Sequence, residues 1–357
     1  MIRTALLLML AILCLSSAEG KTLSGVYMQA DSLSFSEPVP VRGYFNDWQT
    51  PFHGGERGLT YNYAEAGIIE GNWALGVVAR YDEYLRFSPD TAELYYLTAN
   101  HLPLPQGRHY AVDLRAQHFA ANGLRLGFNF PLRPSFSIGF GLSYLQGTQL
   151  TDGTLHGVAD AINAKDYNYN LAVDYRYSED HLFKRPVNTP TGRGYSLDLS
   201  LDWLTERLAA HLRVTDLLGR LYWHNAPYTT ATATSDTKTY GPDGYLIINP
   251  TLSGYEGNSS FAQRLPTRAH LNVRGTVTYT VDVVADIYYT ELKTFTPIGV
   301  SYRYNKVRTE LQYDWQSGAV TLGYRAAHFK ASVTSDRINW RSARTLGLGL
   351  EAHMSFD

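Results

Sequence analysis

Apolar and polar residues alternate along most of this chain with a period of two, and the pattern is cleanest at its end. Within residues 342–356, Leu346, Leu348, Leu350, Ala352, Met354 and Phe356 share one face. Thr345, Gly347, Gly349, Glu351, His353 and Ser355 share the other. Successive side chains of a strand leave the pleat on opposite sides, so this stretch predicts a strand with one oily face and one small or polar face. Trp73, Leu75, Val77, Ala79 and Tyr81 repeat the pattern, as do Phe136, Ile138, Phe140, Leu142 and Tyr144. The sharpest hairpin puts Tyr195, Leu197, Leu199, Leu201 and Trp203 on the oily face, turns at Thr205-Glu206, and returns through Leu208, Ala210, Leu212 and Val214. After Asp216 the oily face passes to Leu217, Gly219, Leu221 and Trp223, which predicts a β-bulge in one long strand. From residue 268 onward six further strands precede the final one.

Gly71-Asn72, Asn122-Gly123, Asn305-Lys306 and Ser317-Gly318 read as turns. Residues 89–100, with Asp90 as cap, and residues 158–164 read as short helices. The count is about 14 strands, with 12 to 16 allowed, and short connections alternate with long ones. Trp73, Trp203, Tyr304 and Trp315 stand near strand ends, where amphipathic rings suit a membrane interface. The fold class expected is all-β, a transmembrane antiparallel β-barrel. A two-sheet soluble sandwich shares the alternation but not the alternating connection lengths or the aromatic placement.

The start of the chain changes the picture. Residues 1–18 carry Arg3, an apolar run over 5–15 and Ser16-Ser17-Ala18, the three parts of a signal peptide cleaved after Ala18. Cys14 leaves with it, so the mature chain holds no cysteine. Without Arg3, 30 Lys+Arg stand against 33 Asp+Glu, and no basic excess points to nucleic acid. No later run suits a membrane helix, so a membrane-spanning chain of this kind must be a closed barrel. Residues 19–57 show little periodicity and carry Phe45, Trp48 and Phe52 among prolines and glycines. They read as a periplasmic arm that enters the lumen as a plug, or as a segment on the rim. The barrel then spans residues 58–357.

The final oily strand, closing on Phe356 one residue before Asp357, resembles the terminal strand of Gram-negative outer-membrane barrels. That resemblance implies an outer-membrane location, lipid around the wall, and recognition of the last strand by the barrel-assembly machinery. The unpatterned arm resembles the hatch of FadL-like transporters, which implies passage of small solutes, hydrophobic ones included.

Requiring oily residues to share a face also sets the inner face. It places Asp198 opposite Arg213, His211 opposite Ser200, and Glu310 opposite Arg325. Arg303 and Arg308 face each other and need a further acid, and Asp282 and Asp286 point inward. Interleaved charge of this kind braces a lumen, whereas an excess of one sign would select an ion class. Catalytic signals are poor: there is no G-x-S-x-G, H-E-x-x-H or Walker loop. Ser200, His211 and Asp198 have the residue types of a triad, yet point into the lumen with Asp198 engaged. No metal or cofactor is expected. A channel or diffusion transporter leads. A structural or secretion-system barrel comes second and an outer-membrane hydrolase third.

Overall fold

Strands form wherever the alternation is regular in the computed structural model, which describes residues 24–356 except 47, 183, 241–245 and 249–250. The segment read as a signal peptide lies outside the described residues. The strands are β1 (Gly25–Ser36), β2 (Arg57–Glu70), β3 (Trp73–Phe87), β4 (His109–Arg133), β5 (Phe136–Ala161), β6 (Tyr167–Tyr177) and β7 (Thr191–Leu204). Then come β8 (Leu208–Thr215), β9 (Arg220–Thr234), the small hairpin β10 (Lys238–Tyr240) and β11 (Leu246–Ile248), β12 (Leu252–Arg264), β13 (Arg268–Thr276) and β14 (Val281–Tyr289). The chain ends with β15 (Thr294–Phe295), β16 (Ile298–Tyr304), β17 (Val307–Asp314), β18 (Ala319–Arg325), β19 (Phe329–Ser335) and β20 (Thr345–Ser355). Two helices, α1 (Val41–Tyr44) and α2 (Pro89–Ala99), lie in connections.

Eighteen of these strands form one antiparallel sheet that closes on itself. β1 pairs with β2 on one side and β20 on the other. The ring then runs through β3, β4, β5, β7, β8, β13, β14, β16, β17, β18 and β19 back to β20. That gives fourteen wall positions. The remaining strands extend or border the wall: β6 continues β7 along β5, β9 continues β8, β12 continues β13, and β15 pairs with two residues of β14. Closure leaves no free edge along the ring, the condition for crossing a bilayer with strands.

One rim carries Gly25, Ser355 and only short turns, from two residues (71–72) to four (277–280). The opposite rim carries the long connections, including 37–56 and 88–108. Gly71, Asn305 and Gly318 sit at positive φ in their turns, where glycine and asparagine are tolerated. Outward residues form an oily belt: Leu75, Leu126, Leu142, Leu311, Leu322 and Leu348 are all exposed on the outer wall.

Five local expectations are corrected. Residues 25–36 form β1 and close the barrel instead of belonging to an arm. Neither face of β1 is uniformly oily, since Tyr27, Leu33 and Phe35 point in while Ser32 and Ser34 point out, so alternation does not register there. Asn122-Gly123 lies inside the 25-residue β4. A Cβ on Gly123 would sit 2.0 Å from the Tyr144 carbonyl, so that glycine serves close strand approach, not a turn. Residues 158–161 are strand, not helix, held to Tyr167–Asn170 of β6. The α2 cap is Ser88, whose Oγ accepts from Thr91 N at 3.0 Å, while Asp90 accepts from Arg108. The turn between β7 and β8 is centred on Glu206-Arg207, because Thr205 N donates to the Leu208 carbonyl at 2.8 Å.

Candidate functional site: the barrel lumen

The inner face holds two larger solvent cavities on either side of a dense layer, and a smaller one of about 350 Å³ beside Tyr27, Glu65, Arg125 and Asp198. The cavity toward the short-turn rim holds about 680 Å³ and is bordered by Tyr61, Tyr63, Tyr288, Arg213, Arg274 and Arg325, among others. The cavity toward the long-connection rim holds about 530 Å³ and is bordered by Tyr84, Arg86, Arg115, Asp152, Phe261 and Leu292, among others.

Four buried ions form the heart of the layer. Arg80 donates to Asp216 through two hydrogen bonds of 2.7 Å and to Asp82 through a third of 2.7 Å. Arg268 approaches Asp82 at 3.3 Å and Asp216 at 3.7 Å. The two carboxylates are fully sheltered. Arginine's fixed fork suits this bidentate grip. Asp216 sits at φ +59° between β8 and β9, a left-handed conformation that turns its carboxylate into the lumen. Aromatic faces complete the packing, with Arg80 5.0 Å from the Phe119 ring and Arg268 4.6 Å from the Tyr61 ring.

Two further features fill this level. First, Trp223 is wholly buried among Phe119, Leu145, Leu150, Leu221 and Leu265. Its ring lies where a Cβ of Gly147 or Gly192 would come within 2.5 Å and 2.7 Å, so those two glycines make its seat. Gln263 spans the lumen, accepting from Trp223 Nε1 at 3.1 Å and donating to the backbone carbonyls of His118 and Thr151. Second, the connection 290–297 folds inward. Phe295 packs on Leu33, Phe35, Leu59 and Tyr84, and the Lys293 ammonium lies 4.6 Å above the Phe35 ring. Burial pushes that ammonium below its ordinary pKa.

The assignment of Leu221 and Trp223 to the lipid face is therefore corrected: both point inward. The strand is interrupted by a bulge, with 216–219 opposing 265–267, but the oily residues beyond it line an apolar lumen. Periodicity cannot tell a lipid face from an apolar inner face.

Nearer the short-turn rim, the sheltered Glu65 carboxylate accepts from Tyr63 at 2.5 Å, from Gln29 at 2.6 Å and from Tyr27, and lies 3.5 Å from Arg125. Asp198 accepts from Arg125 at 3.1 Å, not from Arg213. Arg213 stands opposite Ser200 and reaches Gln29 at 3.2 Å. His211 lies opposite Asp202, 2.6 Å from its carboxylate. Asp198 and His211 thus belong to separate contacts and Ser200 stands opposite Arg213, so no Ser-His-Asp triad is assembled. Asp286 meets His270, Asn272 and Gln312 at 2.5–2.9 Å. Arg303 and Arg308 are opposite each other, and the further acid is Asp282, 2.8 Å from Arg308 and 4.0 Å from Arg303.

The pairing of Glu310 with Arg325 is corrected. Tyr313 faces Val320 and Leu311 faces Leu322, which sets Glu310 opposite Gly323 and Arg325 opposite Arg308. The turn closes from Asp314 to Ala319, so the register slides by two residues and every face is kept. Glu310 instead accepts from Arg274, three strands along the wall.

The plug residues also stand elsewhere. Phe52 stacks on Tyr96 of α2 at 4.8 Å, and Trp48 packs on Phe87 and Tyr95. Phe87 lies on the Trp73 face of β3, so this cluster covers the outer wall at the long-connection rim. Phe45 is exposed. Trp73, Trp203 and Tyr304 project outward near the short-turn rim, and Trp315 near the other. The inward fold of 290–297 and the Trp223 layer were missed in the sequence. Phe295 between Thr294 and Pro297 is too short to show a period, and of the two glycines on the inner face of β7 Gly192 makes room for the Trp223 ring while Gly194 makes room for the Arg220 backbone.

No family model matches the chain, and no curated protein matches it. Among solved structures, a TodX deltaS2S3 mutant monoaromatic hydrocarbon channel is similar over 94% of this chain and 91% of its own, at 10% identity and TM-score 0.44. The Ralstonia pickettii toluene transporter TbuX is similar over 94% and 90%, at 10% identity and TM-score 0.35. A Pseudomonas aeruginosa FadL homologue covers 92% and 86%, at 11% and 0.34.

Proposed function

We propose that this chain is a β-barrel channel of the bacterial outer membrane. It passes small solutes, hydrophobic ones included, by diffusion along the lumen. One observation carries the reading: two cavities of about 680 and 530 Å³ open from opposite ends and are separated by the layer that holds the four ions around Asp216, the Trp223 cluster and the connection 290–297. An inert brace would not need cavities on both sides of a charged layer. The oily outer belt, the closed ring and the short-turn rim fit an outer-membrane barrel whose short turns face the periplasm. Phe35, Tyr61, Tyr84, Tyr288 and Phe295 collar the passage, and their rings suit a solute with an apolar part.

The partners follow from the same surfaces. Lipid covers the belt. The barrel-assembly machinery would read β20 before closure, since in the finished wall β1 and β19 pair with both its edges. No catalytic role is assigned to the lumen residues.

The reading is tested in liposomes. Full-length protein and the paired variant Arg80→Ala/Asp216→Ala are compared for solute-driven swelling, with folding checked by heat-modifiable migration. Faster swelling of the variant supports the channel. Equal rates in folded proteins overturn it, as does recovery of the native protein in the soluble periplasmic fraction.

A further inference from the structure

The four strands beside β20 carry a run of like charge that no channel wall needs for its own stability. Arg303 of β16 faces Arg308 of β17, Arg308 faces Arg325 of β18, and Arg325 faces Lys330 of β19. These are four cations at one height, in consecutive cross-strand register, on the inner face. Like charges directly opposite each other are unfavourable in a sheet. The acids nearby hold the other three cations and leave Arg325 without a contact of its own. Asp282 serves Arg308 and Arg303. Glu351 takes Lys330 at 2.8 Å. Glu310 is held by Arg274, and Asp31 of β1 borders the same cavity without an ion pair to Arg325. Arg325 stands between Arg308 and Lys330 with no hydrogen bond or ion pair among the described residues, and its Nε is buried without a partner. The Nε of Arg303 is likewise buried and unpartnered.

All four cations border the larger cavity, and Asp282 and Glu351 are the two acids that pair with them. An excess of one sign is what separates a selecting site from a set of self-satisfied braces. A guanidinium left over in a wet cavity, flanked by two further cations, is complementary to a planar or tetrahedral oxyanion.

We propose that Arg325, with Arg308 and Lys330, forms an oxyanion-binding site on the short-turn side of the lumen, for a carboxylate or a phosphate group. This deepens the channel reading by naming the class of solute the passage concentrates, and the occupied site would offset the repulsion within the run. The Tyr61, Tyr63 and Tyr288 side chains of the same cavity leave room beside the charge for an apolar part of the solute.

The test is equilibrium titration of the folded, detergent-solubilised full chain at low ionic strength, where surface screening is weak. Inorganic phosphate and acetate are the two probes, and they distinguish a phosphate from a carboxylate ligand. Saturable binding of either by the native chain is expected, weakened roughly tenfold or more in Arg325→Gln, since a charge-assisted hydrogen bond of this type is lost. Lys330→Gln, which leaves the guanidinium in place, should weaken binding less. Arg133→Gln, on the outer wall near its rim, should leave it unchanged. No saturable binding of either probe by the native chain overturns the site, and so does equal affinity in folded Arg325→Gln. The titration does not depend on conduction. Binding by a chain whose opened variant carries no current keeps this site and sinks the channel reading; current without binding does the reverse.

Discussion

Arg80 and Asp216 meet across the lumen through two parallel hydrogen bonds of 2.7 Å, although 136 residues of chain separate them. The contact ties β3 to the break between β8 and β9, and both side chains are buried. Removing one member leaves the other charged and without its main partner. Asp216→Ala should therefore cost about 3–5 kcal/mol of stability. Arg80→Ala/Asp216→Ala should cost less than the two single changes added together, because Asp82 and Arg268 keep each other. Denaturant unfolding of the reconstituted barrel checks both; a strictly additive double variant would contradict the arrangement.

The register of β17 and β18 gives a second test. Glu310 should couple to Arg274, which it contacts, and not to Arg325, which lies opposite Arg308. A double-mutant cycle with Glu310→Gln should give about 0.5–3 kcal/mol for Arg274→Met, as expected for contacting charges. The Arg325→Met cycle should give near zero. The reverse outcome would restore the alternative register in which Glu310 faces Arg325.

Trp223 depends on the two glycines beneath it. Gly147→Val places atoms inside the indole ring's space, since even a Cβ would lie 2.5 Å from it. Overpacking should destabilise the barrel by about 1–3 kcal/mol. The loss should shrink when Trp223→Leu is added. Unchanged stability of the single variant would show that the ring does not occupy this seat.

How much of this was legible in the sequence differs by level. The closed wall of about 14 strands, its outward faces and most of its short turns follow from a period-two pattern, because lipid demands an oily outer face everywhere along the belt. β1 escaped because its two faces are both mixed: Tyr27 and Leu33 point in, Ser32 and Ser34 point out. The lumen was less legible. Parity tells which residues share a face, and so Asp282, Asp286, Arg303 and Arg308 could be placed inward. Partners depend on exact register, and a shift of two residues leaves every face intact while exchanging Arg325 for Arg274 beside Glu310. Contacts across the lumen, such as Arg80 with Asp216, have no local signal.

The segment 37–56 should be dispensable for permeation. Its aromatic residues pack on the outer wall and on α2, not in the lumen. Replacing 38–55 with a short Gly-Ser link should leave single-channel conductance unchanged. Deleting 25–36 should instead prevent a closed, heat-modifiable barrel, because β1 joins β2 to β20. A rise in current on loop replacement would return the segment to the lumen.

The central claim is that the layer held together by the ions around Asp216 closes a continuous passage, and single-channel recording in planar bilayers tests it most directly. Native protein should show low conductance, and folded Arg80→Ala/Asp216→Ala should show stable openings several times larger. Trp73→Phe on the outer wall should match the native protein. Equal conductance of the native and paired-alanine barrels, with folding verified on the same preparations, would contradict the account.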